Sequence, residues 1–177
     1  MNDIIEIKLL EAEKYKNKKY LFEYETPGYF DLVANEWSFQ FIYKEFREKQ
    51  KKSFEDELLG DWLEKPMLYG AFVNGVLAGI IEGSIEGWNN RFRISNILVF
   101  ENYRKSQIGT RLIEHIIAEA KNLHARMVVL ETQSCNIPAI HCYLKNGFRI
   151  IGFDTHSYSN NDIENHEVRI EMGREIH

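Results

Sequence analysis

The feature that most constrains the fold is an amphipathic helix that stands between two apolar strand segments. Its apolar residues recur at steps of three to five between residues 107 and 123: Ile108, Leu112, Ile113, Ile116, Ile117, Ala120 and Leu123. This spacing builds one apolar face, which must be buried against another layer. Residues 91–100 alternate and then run apolar before the helix, and residues 127–130 follow it as a short buried strand.

A second strong signal is a β-hairpin centred on Asn74-Gly75. This pair separates two apolar runs, 68–73 and 76–84, and both central positions of a type I′ turn need a positive φ. Three other segments are also predicted to be strands, namely residues 4–10, 148–153 and 167–172.

The remaining regular segments are predicted to be helical. Residues 31–52 have mixed periodicity but are interpreted as mostly helical, and Ser53 can cap a second helix at 54–63. Asn136 can cap a helix that carries Pro138 in its first turn and that ends at Asn146-Gly147. We therefore predict one domain over residues 1–177 with an α/β (α+β) fold, a mixed central sheet flanked by helices.

Composition and charge argue against several classes of function. The net charge of −5 is unfavourable for a nucleic-acid partner, which needs a basic stripe. No apolar run approaches the ~18 residues that span a bilayer. The first ten residues lack a signal-peptide pattern, so we expect a cytoplasmic protein without a membrane partner. The two cysteines and six histidines form no metal-ligand pattern, so no metal is predicted.

The most informative segment is the junction between the strand at 91–100 and the main helix. Backbone N–H groups there, together with the positive helix N-terminus, can cradle a phosphate group. The alternative is an ordinary turn that carries two surface cations, Arg104 and Lys105. The candidate cofactor-binding residues of this junction are Leu98, Val99, Arg104, Lys105, Ser106, Gln107, Ile108, Gly109 and Thr110.

This junction resembles that of the GCN5-related N-acetyltransferase (GNAT) superfamily, whose signature is Arg/Gln-x-x-Gly-x-Gly/Ala. Arg104 and Gly109 match the signature, whereas Gln107 replaces its middle glycine. A second family signature, Asn-x-x-Ala followed by Tyr-x-x-x-Gly-Phe, is matched from Asn136 to Phe148. The resemblance implies a GNAT fold with splayed strands at a site for acetyl-coenzyme A. It adds four cofactor-binding residues: Thr132, Asn136, Ala139 and Tyr143.

The same resemblance implies a catalytic role for Tyr143. In such enzymes this tyrosine lies near the thioester sulfur, and a phenol with a pKa near 10 can protonate a departing thiolate at neutral pH. The alternative is a tyrosine that only packs its helix on the sheet.

Further stretches are similar to the streptothricin acetyltransferases and their relatives. They are Tyr24-Glu25-Thr26-Pro27, Trp88-Asn89-Asn90-Arg91, Leu130 to Asn136, Gly152-Phe153-Asp154 and Tyr158 to Glu164. The likeness implies acetylation of a primary amine on a small cationic molecule, with Trp88, Glu131, Asp154 and Tyr158 as candidate substrate-binding residues. Trp88 could instead be a packing residue. Superfamily members are often homodimers.

The general base is the open question in this sequence. Relatives commonly carry an acidic residue on the strand before the phosphate loop, where Asn96 stands here. Glu82, on the neighbouring strand, is the candidate catalytic base, and a solvated surface position is its alternative. Two alternative functions remain at this point: acetylation of protein N-termini or lysines, and a non-catalytic acyl-coenzyme A sensor.

Overall fold

The computed structural model describes residues 4–176. The elements in chain order are β1 (Ile5–Leu9), α1 (Ala12–Tyr15), β2 (Lys19–Asn35), β3 (Ser38–Glu57), β4 (Met67–Val73), β5 (Val76–Glu86), β6 (Arg91–Val99), a 3-10 turn (Glu101–Tyr103), α2 (Ile108–Asn122), β7 (Met127–Gln133), α3 (Ile137–Lys145), β8 (Arg149–Asp154) and β9 (Arg169–Glu175). Seven strands form a mixed sheet, while β2 and β3 form a separate two-stranded sheet. The predicted mixed α+β fold is confirmed.

The chain divides into two compact units. The first contains residues 1–21, 55–130 and 174–177, and the second contains residues 22–54 and 131–173. The prediction of a single domain over residues 1–177 stays a prediction.

The first unit holds strands in the order β1-β4-β5-β6, followed by the start of β7. β1, β4, β5 and β6 are antiparallel neighbours, and β6 pairs with β7 in parallel. The helix α2 provides the long connection that a parallel pair requires. Its buried residues are Ile108, Leu112, Ile113, Ile116 and Ala120, which belong to the predicted apolar face. The hairpin turn is also confirmed, because φ is +49° at Asn74 and +83° at Gly75.

The second unit holds the end of β7 with β9 and β8, in that order, together with α3. The Asn136 side chain accepts a hydrogen bond of 3.3 Å from the backbone N–H of Ala139, which confirms the predicted cap of α3. Gly147, with φ of +80°, follows the end of this helix as predicted.

The predicted helices at 31–52 and 54–63 are wrong. Most of that region belongs to β3, a strand of 20 residues that pairs with the 17-residue β2. The cross-strand partners explain the outcome: Phe30 packs edge-on against Tyr43, Phe22 stacks on Phe54 at 5.0 Å, and Lys51 pairs with Glu23 at 2.9 Å. These contacts lie between residues distant in sequence, and they outweigh the helix propensity of the many lysines and glutamates. Within residues 4–176, no helix has the length and apolarity needed to cross a membrane.

Candidate active site

The junction between β6 and α2 is an exposed loop with two left-handed residues. Lys105 has φ of +63°, and Gln107 has φ of +65° immediately before α2 begins at Ile108. The Gln107 side chain forms no capping hydrogen bond to the helix. Because the first N–H groups of a helix have no partner within the helix, the start of α2 offers backbone donors and a positive dipole end to an anion.

The other loop residues are held by the backbone beside them. Arg104 donates from Nε to the Val99 carbonyl at 3.3 Å, and the Ser106 hydroxyl donates to the Tyr103 carbonyl. Residues 104–107 are exposed, whereas Ile108 is buried, with Gly109 and Thr110 half-buried behind it. The exposed part of the loop therefore carries the two cations, Arg104 and Lys105, beside the helix start.

The strand that leads into this loop contains a β-bulge. Glu82 of β5 faces Asn96 of β6, but the next residue, Gly83, faces Ile94, so Ser95 is the extra residue. On the other side of β6, the parallel register runs only from Arg91↔Met127 to Arg93↔Val129, although β6 continues to Val99. Leu98 is buried and Val99 is half-buried at the end of this strand. Bulges of this kind are over-represented beside active sites.

Glu82 lies at the bulge and is fully buried, with 0% of its surface exposed. Its carboxylate accepts three hydrogen bonds: from the backbone N–H of Leu59, from the Ser95 hydroxyl at 2.6 Å and from the Asn96 side-chain amide at 3.1 Å. A buried carboxylate needs such partners to offset its lost hydration. Glu82 therefore does not lie on a solvated face, which was the alternative interpretation.

Glu86, the other acid of β5, is engaged in ion pairs. It accepts hydrogen bonds from Arg93 at 2.5 Å, from Arg91 at 3.0 Å and from Asn89 at 3.1 Å. Burial raises the pKa of Glu86, but the hydrogen bonds from Arg93 and Asn89 outweigh it and leave the pKa below its ordinary value. Trp88 is 84% exposed in the same turn, with the Arg91 guanidinium 5.9 Å from its ring.

In the second unit, Tyr143 lies on the buried face of α3. Its ring is 6.1 Å from that of Phe148, and its pKa is raised because burial disfavours the charged phenolate and because Cys142 lies close to it. Thr132 is buried at the end of β7, while Asn136 and Ala139 start α3. Tyr143 is therefore a protonated phenol at neutral pH.

The other candidates of the second unit lie around an acidic cluster. A cavity of about 350 Å³ is lined by Gly152, Phe153, Asp154, Arg169 and Glu171. The Arg169 guanidinium forms ion pairs with Glu131 and, at 3.2 Å, with Glu171. Burial raises the pKa of Tyr158, and the nearby charge of Glu131 adds to the shift. Arg169 thus forms an ion pair with Glu131 and lies opposite Asp154 in the β8–β9 register, so Glu131 and Asp154 lie near the same guanidinium.

Sequence reasoning missed several residues of these clusters. Arg169 and Glu171 are two residues apart on β9, so the sequence alone indicates that they share a face of the strand. Their position beside Asp154 follows from the β8–β9 register. In the sequence, Tyr24 stands out only as part of a stretch similar to the streptothricin acetyltransferases. It lies on β2, whose last residues were predicted to be helical, and its hydroxyl donates to Gln133 at 2.8 Å. Ser95 gave no signal at all, because nothing in the sequence marks the bulge.

The candidate residues fall into two sets, one in each unit. The first unit holds Glu82, Trp88 and the residues from Leu98 to Thr110; the second holds Glu131, Thr132, Asn136, Ala139, Tyr143, Asp154 and Tyr158. Among residues 4–176, no group of three or more His, Cys, Asp or Glu side chains could hold a metal ion.

Comparison with known proteins gives consistent matches. The sequence matches the model of the acetyltransferase (GNAT) family over residues 29–148. It is 44% identical over 73 residues to streptothricin acetyltransferase A of Bacillus subtilis (strain 168), covering 41% of this chain and 42% of that protein. It is 30% identical over 129 residues to a streptothricin acetyltransferase of Escherichia coli, covering 73% of this chain and 72% of that protein.

These matches differ in extent. The chain spans about half the length of two of the curated relatives it matches, 42% and 55% respectively. Among solved structures, nourseothricin acetyltransferase superposes with a TM-score of 0.77 at 23% identity, over 97% of this chain and 98% of that one. At this level of identity, the likeness concerns the fold.

Proposed function

Because the chain belongs to the GNAT family of acetyltransferases, we propose that it transfers the acetyl group of acetyl-coenzyme A to a primary amine of a small cationic molecule. The observation that carries this proposal is the start of α2. An exposed loop with Arg104 and Lys105 leads there into a helix whose first N–H groups have no side-chain cap. This arrangement supports binding of a pyrophosphate, the anionic group of coenzyme A.

In this proposal the first unit binds the phosphates and removes a proton. Residues 104–110 bind the pyrophosphate, and the end of β6 at Leu98 and Val99 contacts the pantetheine arm. A lysine-like amine has a pKa near 10.4, so its neutral form costs roughly 4 kcal/mol to populate at neutral pH. Glu82 is the proposed acceptor of that proton, directly or through a neighbouring group.

The second unit supplies the remaining proposed roles. Tyr143 donates its phenolic proton to the departing thiolate, while Thr132, Asn136 and Ala139 contact the cofactor. Tyr143 is protonated at neutral pH, as a general acid must be, although the burial that raises its pKa also makes the phenol a weaker acid.

The acceptor is proposed to be polycationic, as streptothricin-like antibiotics are. Two features support this: the names of the curated relatives and the charges around the cavity in the second unit. Arg169 forms ion pairs with Glu131 and Glu171, and Asp154 lines the cavity beside Arg169 and Glu171. Tyr158 is proposed as a substrate-binding residue, and so is Trp88, since an exposed tryptophan can offer a cation–π face. A homodimer in the cytoplasm stays a prediction.

The test is an activity screen that measures release of the coenzyme A thiol. Acetyl-coenzyme A is incubated with the protein and with streptothricin, with spermidine and with peptides that carry a free N-terminus or a lysine. Turnover with streptothricin or spermidine supports the proposal, and turnover confined to peptides would assign the chain to protein acetylation. Calorimetry with acetyl-coenzyme A alone completes the test, because binding without turnover of any amine would indicate a sensor.

A further inference from the structure

The three residues that donate hydrogen bonds to Glu82 differ in their exposure to solvent. Glu82 itself is 0% exposed, Leu59 is 4% exposed and Asn96 is 6% exposed. Ser95 is the only one of the three that is not buried. Among the described partners of this carboxylate, Ser95 is therefore the one that an incoming molecule can reach.

The three donors also differ in chemistry. A backbone N–H and a side-chain amide can donate a hydrogen bond, but their nitrogen cannot accept a proton at neutral pH. A hydroxyl has one proton and two lone pairs, so it can take up a proton while it releases its own. Of these three donors, Ser95 alone can therefore pass a proton to Glu82.

The bulge explains why Ser95 can reach the carboxylate. In a regular strand, Ser95 and Asn96 would point to opposite faces of the sheet, and only one could contact Glu82. The register shift after Glu82 makes Ser95 the extra residue, and both side chains then donate to the same oxygen, Oε2.

We propose that Ser95 is a catalytic residue that relays the proton of the substrate amine to Glu82, an inference that rests on the function proposed above. The ammonium gives a proton to Oγ of Ser95 as the Ser95 hydroxyl gives its own proton to Oε2 of Glu82. The products are a neutral amine, an unchanged serine hydroxyl and a protonated Glu82. The amine then attacks the thioester carbonyl, and Glu82 returns its proton to solvent through Ser95.

The experiment compares Ser95→Ala with Ser95→Thr, which keeps the hydroxyl, in the full chain. Each variant is assayed with two acceptors: the best amine of the screen, and its analogue with a trifluoromethyl group on the carbon that bears the amine, which lowers the pKa of the ammonium below the assay pH. An amine that arrives neutral needs no relay. We expect Ser95→Ala to lose about 100-fold in kcat on the basic amine, the range of general base catalysis, and less than threefold on the fluorinated one. Ser95→Thr should stay within a few-fold of the wild type on both.

Equal losses of Ser95→Ala on the two acceptors, or no loss on either, would overturn the relay. If Ser95→Ala does not fold, Ser95→Val replaces it, because valine has the shape of the threonine in Ser95→Thr without the hydroxyl. The outcome is separable from that of the proposed function. An absence of turnover by the wild-type protein counts against the function, whereas the acceptor dependence among active variants decides the role of Ser95.

Discussion

The side-chain amide of Asn96 donates a hydrogen bond of 3.1 Å to the carboxylate of Glu82, directly across the β5–β6 ladder. The resemblance to acetyltransferases led us to expect an acid at position 96. The structure has an amide there and a carboxylate on the adjacent strand, in contact with it. The carboxylate thus lies at the same level of the sheet as position 96, but on β5 instead of β6, and both positions are buried.

Replacing Glu82 with Gln should test whether that charge is needed. The change keeps the shape of the side chain but removes the proposed base, so we expect kcat to fall by about 100-fold or more. The NH2 group of the new glutamine would also face one of the donors that now bond to the Glu82 carboxylate. This unsatisfied contact costs about 1–3 kcal/mol of stability. Enzyme assays and urea unfolding measure the two effects. Glu114→Gln, on the exposed face of α2, is the matched control. Glu82 would have no catalytic role if the variant kept full activity.

Tyr143→Phe should separate the proposed acid from the packing role of the ring. The phenyl group keeps the contact with Phe148, so the melting temperature should change by only a few degrees. Loss of the phenolic proton should lower kcat by about 10- to 100-fold without a large change in KM for acetyl-coenzyme A. The loss should shrink with an acyl donor whose thiol is more acidic, since that leaving group needs less protonation. Equal losses with both donors would argue against an acid.

Much of the fold could be predicted from sequence because its signals are local. Asn74-Gly75 marked its hairpin, the apolar face of α2 marked its helix, and Asn136 marked the start of α3. The hairpin of β2 and β3 could not be predicted in this way. Residues 44–52 are rich in lysine and glutamate, which favour helices locally, and their strand geometry depends on partners such as Glu23 and Asp31.

The candidate site also has parts with local sequence signals and parts that depend on contacts between residues distant in sequence. The loop at 104–109 and the segment at 131–143 carry motifs in consecutive residues, so the sequence indicated them. The environment of Glu82 depends on Leu59, which is distant in sequence, and on a one-residue bulge at Ser95. A bulge changes which side chains share a face without leaving a composition signal, so the contact with Ser95 became visible only in three dimensions.

Gln107→Gly should stabilise the protein. Gln107 has φ of +65°, and a left-handed conformation costs a residue with a side chain about 1–2 kcal/mol, which exceeds the roughly 0.5–1 kcal/mol entropic cost of glycine. We expect a melting temperature about 1–4 °C higher. Acetyl-coenzyme A should also bind more tightly, since the backbone at the helix start becomes more accessible. Ser106→Gly, in the same loop, is the control and should not stabilise. A Gln107→Gly protein that melts below the wild type would contradict the argument.

Tyr69→Phe should flatten the loss of stability at alkaline pH. Burial of Tyr69, with the charge of Glu119 and the hydrogen bond to it, raises the tyrosine's pKa to about 12. The unfolded chain releases this proton near pH 10, whereas the folded chain holds it until about pH 12. The folded state then binds more protons, so stability falls as pH rises from 10 to 12. Urea unfolding at pH 9 and at pH 11 measures the slope, with Tyr43→Phe on the exposed hairpin as control. An identical slope in wild type and Tyr69→Phe would rule out this contribution.

Asn96→Asp restores the acid that the family resemblance led us to expect, yet it should harm the protein. The new carboxylate would lie about 3 Å from that of Glu82, and two like charges at this distance repel strongly in a buried site. A proton shared between the two oxygens relieves the repulsion, so the variant should be closest to the wild type near pH 5 and should lose stability as pH rises to 8. Activity at pH 8 should fall, because the new carboxylate would compete with Glu82 for the hydrogen bond and the proton of the Ser95 hydroxyl. Asn96→Ala separates this repulsion from simple loss of the amide, since it removes the hydrogen bond without adding charge, and its deficit should not grow between pH 5 and pH 8. If Asn96→Asp proved as stable and as active as the wild type at pH 8, the expected repulsion between a carboxylate at position 96 and that of Glu82 would be wrong.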